Sequence, residues 1–212
     1  YPYQSVNYIQ SHDDWAWIDR ISLALGHPVS SPSAEVQRRA HLAWALLMSS
    51  LGTPMIAAGQ DHLHTKQGIC NTYNRPDLNQ LSPERWQTYS ATHEYCRAWI
   101  ALRQSPLGRV FRLEHSPTPG YLRFFHPPHL SAVATLYNAD ASLPQSPRLL
   151  VACNPHSESA PIGLPGLQAP QWQLIADHGR IDPNGLRPPH FTWENSLLQL
   201  PALTCGVWVQ KC

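Results

Sequence analysis

No stretch of the 212 residues approaches the about 18 consecutive apolar side chains of a membrane-spanning helix, and the opening YPYQSVNYIQ lacks the charged-then-apolar form of a signal peptide. The chain reads as soluble, with no membrane partner. Charge of one sign is missing too: 15 Lys+Arg stand against 14 Asp+Glu, net +1, without the basic stripe that a phosphate-backbone binder needs. Nucleic acid is excluded on that ground. No C-x-x-C pair occurs among Cys70, Cys96, Cys153, Cys205 and Cys212, an odd and widely spaced set. A disulfide framework or thiolate zinc site is not expected, which leans towards a reducing, cytoplasmic compartment without fixing it. Phenylalanine is scarce at four, beside eight Trp and eight Tyr. Such amphipathic rings either fill a core or stack on carbohydrate, and composition favours the core.

What is abundant is proline: 21 residues, well above the usual ~5%, so helices should be few and strands, turns and extended loops many. With 42% hydrophobic content the chain can bury a core as one large domain or two small ones. It opens on Tyr1 rather than Met, and the natural start is expected upstream.

Residues 5–10 (SVNYIQ) favour a strand and end at Ser11-His12-Asp13-Asp14, a polar cluster placed to cap an amphipathic helix over Trp15–Leu25. Ser33 can cap a second helix, whose Val36, Ala40, Ala43 and Leu47 share a face and which Gly52 and Pro54 stop. Met55–Ala58 reads as a buried strand, followed by a polar loop to about Gln80. Ser82-Pro83 opens one further helix to Ser105. Polar residues gathered after each strand are the local grammar of a (β/α) barrel, of which two strands supply at most the last quarter. Beyond about Leu107, the segments YLRFF, AVATLY, RLLVACN, WQLIAD and GVWVQ alternate between turn residues, the signature of an antiparallel β-sandwich. The boundary is expected at 106/107.

Four segments carry a resemblance. Asn7-Tyr8-Ile9-Gln10-Ser11-His12-Asp13-Asp14 resembles the seventh-strand motif of the alpha-amylase superfamily, glycoside hydrolase family thirteen. Leu51–Asp61 is similar to its eighth-strand segment, and Thr65-Lys66 with Asn71–Asn79 resembles the loop of its pullulanase branch. Trp99-Ile100-Ala101-Leu102-Arg103 resembles the last barrel helix. The resemblance covers essentially the whole chain in order and implies the C-terminal portion of a debranching enzyme. Residues 1–106 would be strands 7 and 8 of a TIM (β/α)8 barrel, and 107–212 a C-terminal β-sandwich. The implied activity is retaining hydrolysis of α-1,6 branch points in starch-, glycogen- or pullulan-like α-glucans. The alternatives are an α-1,4-acting amylase or branching enzyme and, outside enzymes, a glucan-binding module marked by an exposed row of aromatics.

A carboxylate facing the anomeric carbon stabilises the positive charge that develops there. Read from residues alone, Asp13 suits that task, but Asp13 or Asp14 equally suits the cap of the following helix. The resemblance assigns Asp13 as the transition-state stabiliser and His12 as a sugar-binding residue. Asp14, a further implied substrate contact, stands where pullulanase-type chains commonly have Asn. Tyr73, Asn74 and Asp77 of the polar loop, and Lys66, are the other implied substrate contacts; where the family often has Arg beside Thr-Lys, this chain has His64. His62 and His64 flank Leu63 with Asp61 close by, but no third ligand has recognisable spacing, so neither a metal nor another cofactor is assigned, calcium in a parent enzyme being left open. The implied partners are an α-glucan and the preceding barrel portion. The family's nucleophile and acid lie on earlier strands, and the acids of 1–106 match neither motif, so this chain alone is expected to be inactive.

Overall fold

The structure is a computed structural model that describes residues 1–127, 131–187 and 191–211; Cys212 of the cysteine count lies outside them. The N-terminal half is built on a short parallel pair, β1 (Val6–Asn7) beside β2 (Thr53–Pro54), with Val6 opposite Thr53 and Asn7 opposite Pro54. Helices α1 (Trp17–Leu25) and α2 (Ala34–Ser49) run between them. Two strands do not close a barrel, and the described residues contain no closed one.

Several expected boundaries move. The first strand is two residues long rather than six, and the second lies at 53–54, not at 55–58. The amide of Met55 still bonds the carbonyl of Asn7, so the pairing ends as the expected strand would begin. Helix α1 starts at Trp17, because the indole of Trp15 is drawn away to the carbonyl of Gly68 (2.9 Å) and Gln10 Oε1 accepts the Trp17 amide (2.8 Å). Ser33 caps α2 as expected, accepting the Val36 amide. The long polar loop contains the single turn α3 (Pro76–Asn79).

The helix expected over 83–105 is two, α4 (Pro83–Thr88) and α5 (Ser90–Gln104), broken at Tyr89 (φ −110°, ψ 29°). The two dock differently. From α4, Arg85 donates to the carbonyls of Leu63 and Ser30, whereas α5 packs on α2 through Tyr95, Trp99 and Leu102. Arg103 of α5 binds the corner before β2, donating to the carbonyls of Met48 (2.6 Å), Ser50 (2.8 Å) and Gly52 (2.5 Å) and to that of Phe111. Burial pulls its pKa down to about 10.

After Ser105 the chain turns to sheet. Strands β3 (Leu122–Phe125), β4 (Val133–Tyr137), β5 (Leu149–Asn154), β6 (Ala160–Gly163), β7 (Trp172–Ala176), β8 (Thr192–Glu194), β9 (Leu197–Leu200) and β10 (Thr204–Gln210) form two antiparallel sheets. Their orders are β3-β4-β5-β10-β7 and β6-β9-β8. Leu150, Ala152, Leu136 and Trp208 of the larger sheet face Ile162, Leu198 and Leu200 of the smaller. Its other face, with Leu149, Val151, Cys153 and Val207, meets Trp44, Leu47 and Met48 of α2 and Trp99 of α5. Covered on both sides, β5 is buried at all six positions, so RLLVACN, read from the sequence as an alternating segment, does not alternate between a buried and an open face. The sheet aromatics Tyr121, Trp172, Phe191 and Trp208 are buried and Phe124 is exposed, so the exposed row that would mark a glucan-binding module is not seen among the described residues. Nor is any described helix long and apolar enough to cross a membrane.

Candidate functional site

The chain leaving β1 and the chain leaving β2 run side by side and open a cleft of about 390 Å³. One wall is Gln10, Ser11, His12 and Asp13, and the floor is Met55–Ala58. The opposite wall comes from His64, Lys66, Cys70–Tyr73 and Asn79. Of the expected site residues, His12, Asp13, Tyr73 and Lys66 therefore share one cavity. Asp14, Asn74 and Asp77 do not line it.

The helix-cap reading of Asp13 and Asp14 is overturned by this arrangement. The cap residue of α1 is Ala16, without a side-chain cap bond, and the Trp17 amide goes to buried Gln10. Asp14 sits at φ 60°, a left-handed conformation that Asp tolerates, and its carboxylate lies 3.8 Å from Arg20. Among the described residues Asp13 is left with His12, at 3.5 Å, and both side chains are open to solvent (80% and 92%). Asp13 is the one carboxylate among the described residues lining the cleft.

Lys66 holds the site rather than presenting itself to a ligand. It is buried, and its ammonium donates to the carbonyls of His12 (2.7 Å) and Asp14 (3.0 Å), so the residues on either side of Asp13 are pinned by one cation. Lys66 is in turn fixed by Asp19, a residue not singled out from the sequence. This wholly buried carboxylate of α1 accepts from the Thr65 hydroxyl and from the amides of Lys66 (2.7 Å) and Gly68 (3.1 Å). The signal for Asp19 was present as an acid in the first turn of an apolar helix, but only the fold brings Thr65-Lys66 to it.

On the opposite wall, Asn79 accepts the Thr72 hydroxyl (2.8 Å) and donates to the Thr72 carbonyl (2.7 Å), closing the loop on itself. Tyr73 stands out from it, 85% exposed. Asp77 is committed to Arg75 through two bonds (2.9 and 2.7 Å), and that contact holds its carboxyl below the usual range. His64 is buried in the wall, its pKa lowered by desolvation and then by the Arg85 cation. Gln10, Ser11, Asn71, Thr72 and Asn79 are polar lining residues that sequence reasoning did not select as site residues.

No family model matches the chain. A pullulanase of Bacillus subtilis (strain 168) is 38% identical over 105 residues, which is 49% of this chain and 14% of that protein. A glycogen debranching enzyme of Serratia proteamaculans (strain 568) is 27% identical over 221 residues, 88% of this chain and 32% of that one. Among solved structures, the pullulanase of Paenibacillus barengoltzii in complex with maltohexaose and alpha-cyclodextrin superposes with a TM-score of 0.77 at 27% identity, covering 100% of this chain and 30% of that one. The chain thus spans about a third or less of the relatives it matches. The resemblance carried by residues 7–14 and 51–79 stands: the chain is similar to the C-terminal portion of pullulanase-type debranching enzymes.

Proposed function

We propose that this chain is the C-terminal part of a retaining glycoside hydrolase that cleaves α-1,6 branch points of α-glucans, with 1–106 as the last β/α units of a (β/α)8 barrel and 107–212 as its sandwich. The observation that carries the reading is the cleft at the C-terminal ends of the parallel pair. It holds one free, exposed carboxylate, Asp13, on a turn pinned by a buried cation. That end of the strands is where such folds keep their chemistry.

In this reading Asp13 faces the anomeric carbon. Its charge stabilises the oxocarbenium-like state, while His12, Tyr73 and Asn71 contact the sugar rings bound in the cleft. The nucleophile and the acid, needed ~5–5.5 Å apart across the scissile bond, would come from the preceding strands. Lys66 acts through the main chain: with the His12 and Asp14 carbonyls held, the Asp13 carboxylate needs little reorganisation when charge develops.

The test is Asp13→Asn in the full-length parent enzyme. Loss of one preorganised charge should lower kcat by ~10²–10³ and change KM little. Because Asp13 makes no cap bond, the melting temperature should not move. Wild-type kcat would refute the assignment. Residues 1–212 alone should release no reducing sugar from pullulan or amylopectin, and turnover abolished by Asp13→Ala would mean that the chain holds a complete site.

A further inference from the structure

The sequence offered His62 and His64 with Asp61 close by; the fold leaves His64 in the wall of the cleft and brings His93 to Asp61 and His62 instead. His93, on the first turns of α5, brings Nδ1 to 2.8 Å from Asp61 Oδ2, and His62 Nε2 lies 3.4 Å from the same oxygen. One donor atom from each residue falls within 4.8 Å of the others. Four-coordinate zinc with N and O ligands at about 2.0–2.1 Å holds its donors roughly 3.3 Å apart, so these atoms need move little to enclose an ion. We propose that Asp61, His62 and His93 form a binding site for a divalent first-row transition metal of the zinc class. The ion would clip the turn Gln60–His62 to α5 beside the cleft.

The hydrogen bond from His93 to Asp61 accounts for two members of the group and leaves the third unexplained. His62 is nearly buried, and its Nδ1 makes no hydrogen bond, so no bond at that nitrogen turns the ring edge towards Asp61. Its ring stacks on that of His93 (centroids 4.9 Å, interplanar 26°), which aligns the two imidazoles on one carboxylate oxygen. Among the described residues, the ion-pair partners of Asp61 are these two imidazoles, so no Lys or Arg occupies the carboxylate in place of an ion. The side chains of Asp61 and His93 keep 26% and 34% of their surface, enough for an ion to enter and retain a water as fourth ligand. Two imidazoles and a carboxylate suit zinc, copper(II) or nickel better than calcium or magnesium, which prefer all-oxygen sites. The turn so fixed also carries His64 into the wall of the cleft, two residues beyond the site.

The experiment is zinc titration of the metal-stripped 212-residue chain by equilibrium dialysis. Copper(II) quenching of tryptophan fluorescence is read in parallel, because the Trp86 ring lies 4.3 Å from that of His62. One zinc per chain with a dissociation constant on the order of micromolar is expected. His62→Ala, His93→Ala and Asp61→Asn should each weaken it by about tenfold or more, as losing a ligand requires, while His115→Ala leaves it unchanged. Circular dichroism of each variant establishes that it is folded, and His93→Gln replaces His93→Ala if the latter is not. Absence of stoichiometric zinc at about 100 µM, or binding that survives loss of His62 and His93, overturns the site.

Discussion

Removing the Asp19 carboxylate should be among the costliest single changes in the N-terminal half. Asp19 is wholly buried and gathers three donors: the Thr65 hydroxyl and the amides of Lys66 and Gly68. In Asp19→Ala the Lys66 amide, buried in the turn, has no replacement acceptor, and each donor stranded in this way costs about 1–3 kcal/mol. The Thr65 hydroxyl can rotate and Gly68 is only half-buried, so those two recover part of their loss. The expected destabilisation is about 3–5 kcal/mol, which for a chain of this size lowers the melting temperature by roughly 6–20 °C. Asp19→Asn keeps an acceptor and the shape but loses the charge assistance, which roughly doubles each bond, so about 1–3 kcal/mol is expected there. Asp14→Asn is the control: it keeps a side chain that tolerates the left-handed backbone at φ 60° and removes only the charge of a carboxylate that is 71% exposed and 3.8 Å from Arg20, a contact worth about 0–1 kcal/mol. Urea denaturation of the three variants measures the series, and hydrogen exchange should show faster amides at 66–68 and at 12–14, the turn that Lys66 holds. An Asp19→Ala loss below about 1 kcal/mol would refute the account of how the site is supported.

Two further outcomes are expected. A methyl group at Gly108 would lie 2.2 Å from the Leu102 carbonyl oxygen and 2.4 Å from that of Arg103, both main-chain atoms that cannot turn aside; Gly108→Ala should therefore cost at least about 2 kcal/mol in chemical denaturation. The half-buried His41, whose ring bonds Thr92 and the His178 carbonyl, has its pKa lowered chiefly by desolvation. The folded chain thus binds fewer protons there than the unfolded chain, so its stability is full above the ordinary histidine value of about 6.5 and declines as pH falls through the lowered one. The drop in denaturation midpoint between about pH 7.5 and 5.5 should shrink in His41→Gln, and an unchanged drop would remove His41 from the explanation.

Local chemistry made much of this protein legible without a structure. The Ser33 cap, the apolar face of α2 and all five strands of the larger sheet could be read from periodicity and turn residues, because each depends on neighbours within a few positions. The three strands that were missed, β6, β8 and β9, make up the whole of the smaller sheet; each has three or four residues, and β6 carries Pro161 and Gly163, so no run was long enough to register. The break at Tyr89 was invisible for a different reason. Residues 83–104 have helical periodicity throughout, and the break reflects two docking surfaces, with Arg85 held by Leu63 and Ser30 and α5 held by α2.

At the site, residue order placed His12-Asp13 after a strand, but two roles for the carboxylate remained open. The tertiary structure decided between capping and freedom by giving the helix terminus to Gln10. It likewise turned Lys66 from an expected ligand contact into a buried brace, set Asp19 behind it, and carried His93 across to Asp61. These pairings join residues 7, 54, 47 and 32 positions apart. Sequence determines which chemistry a residue can offer, whereas contacts at such separations follow from how the helices and strands pack, which no local pattern encodes.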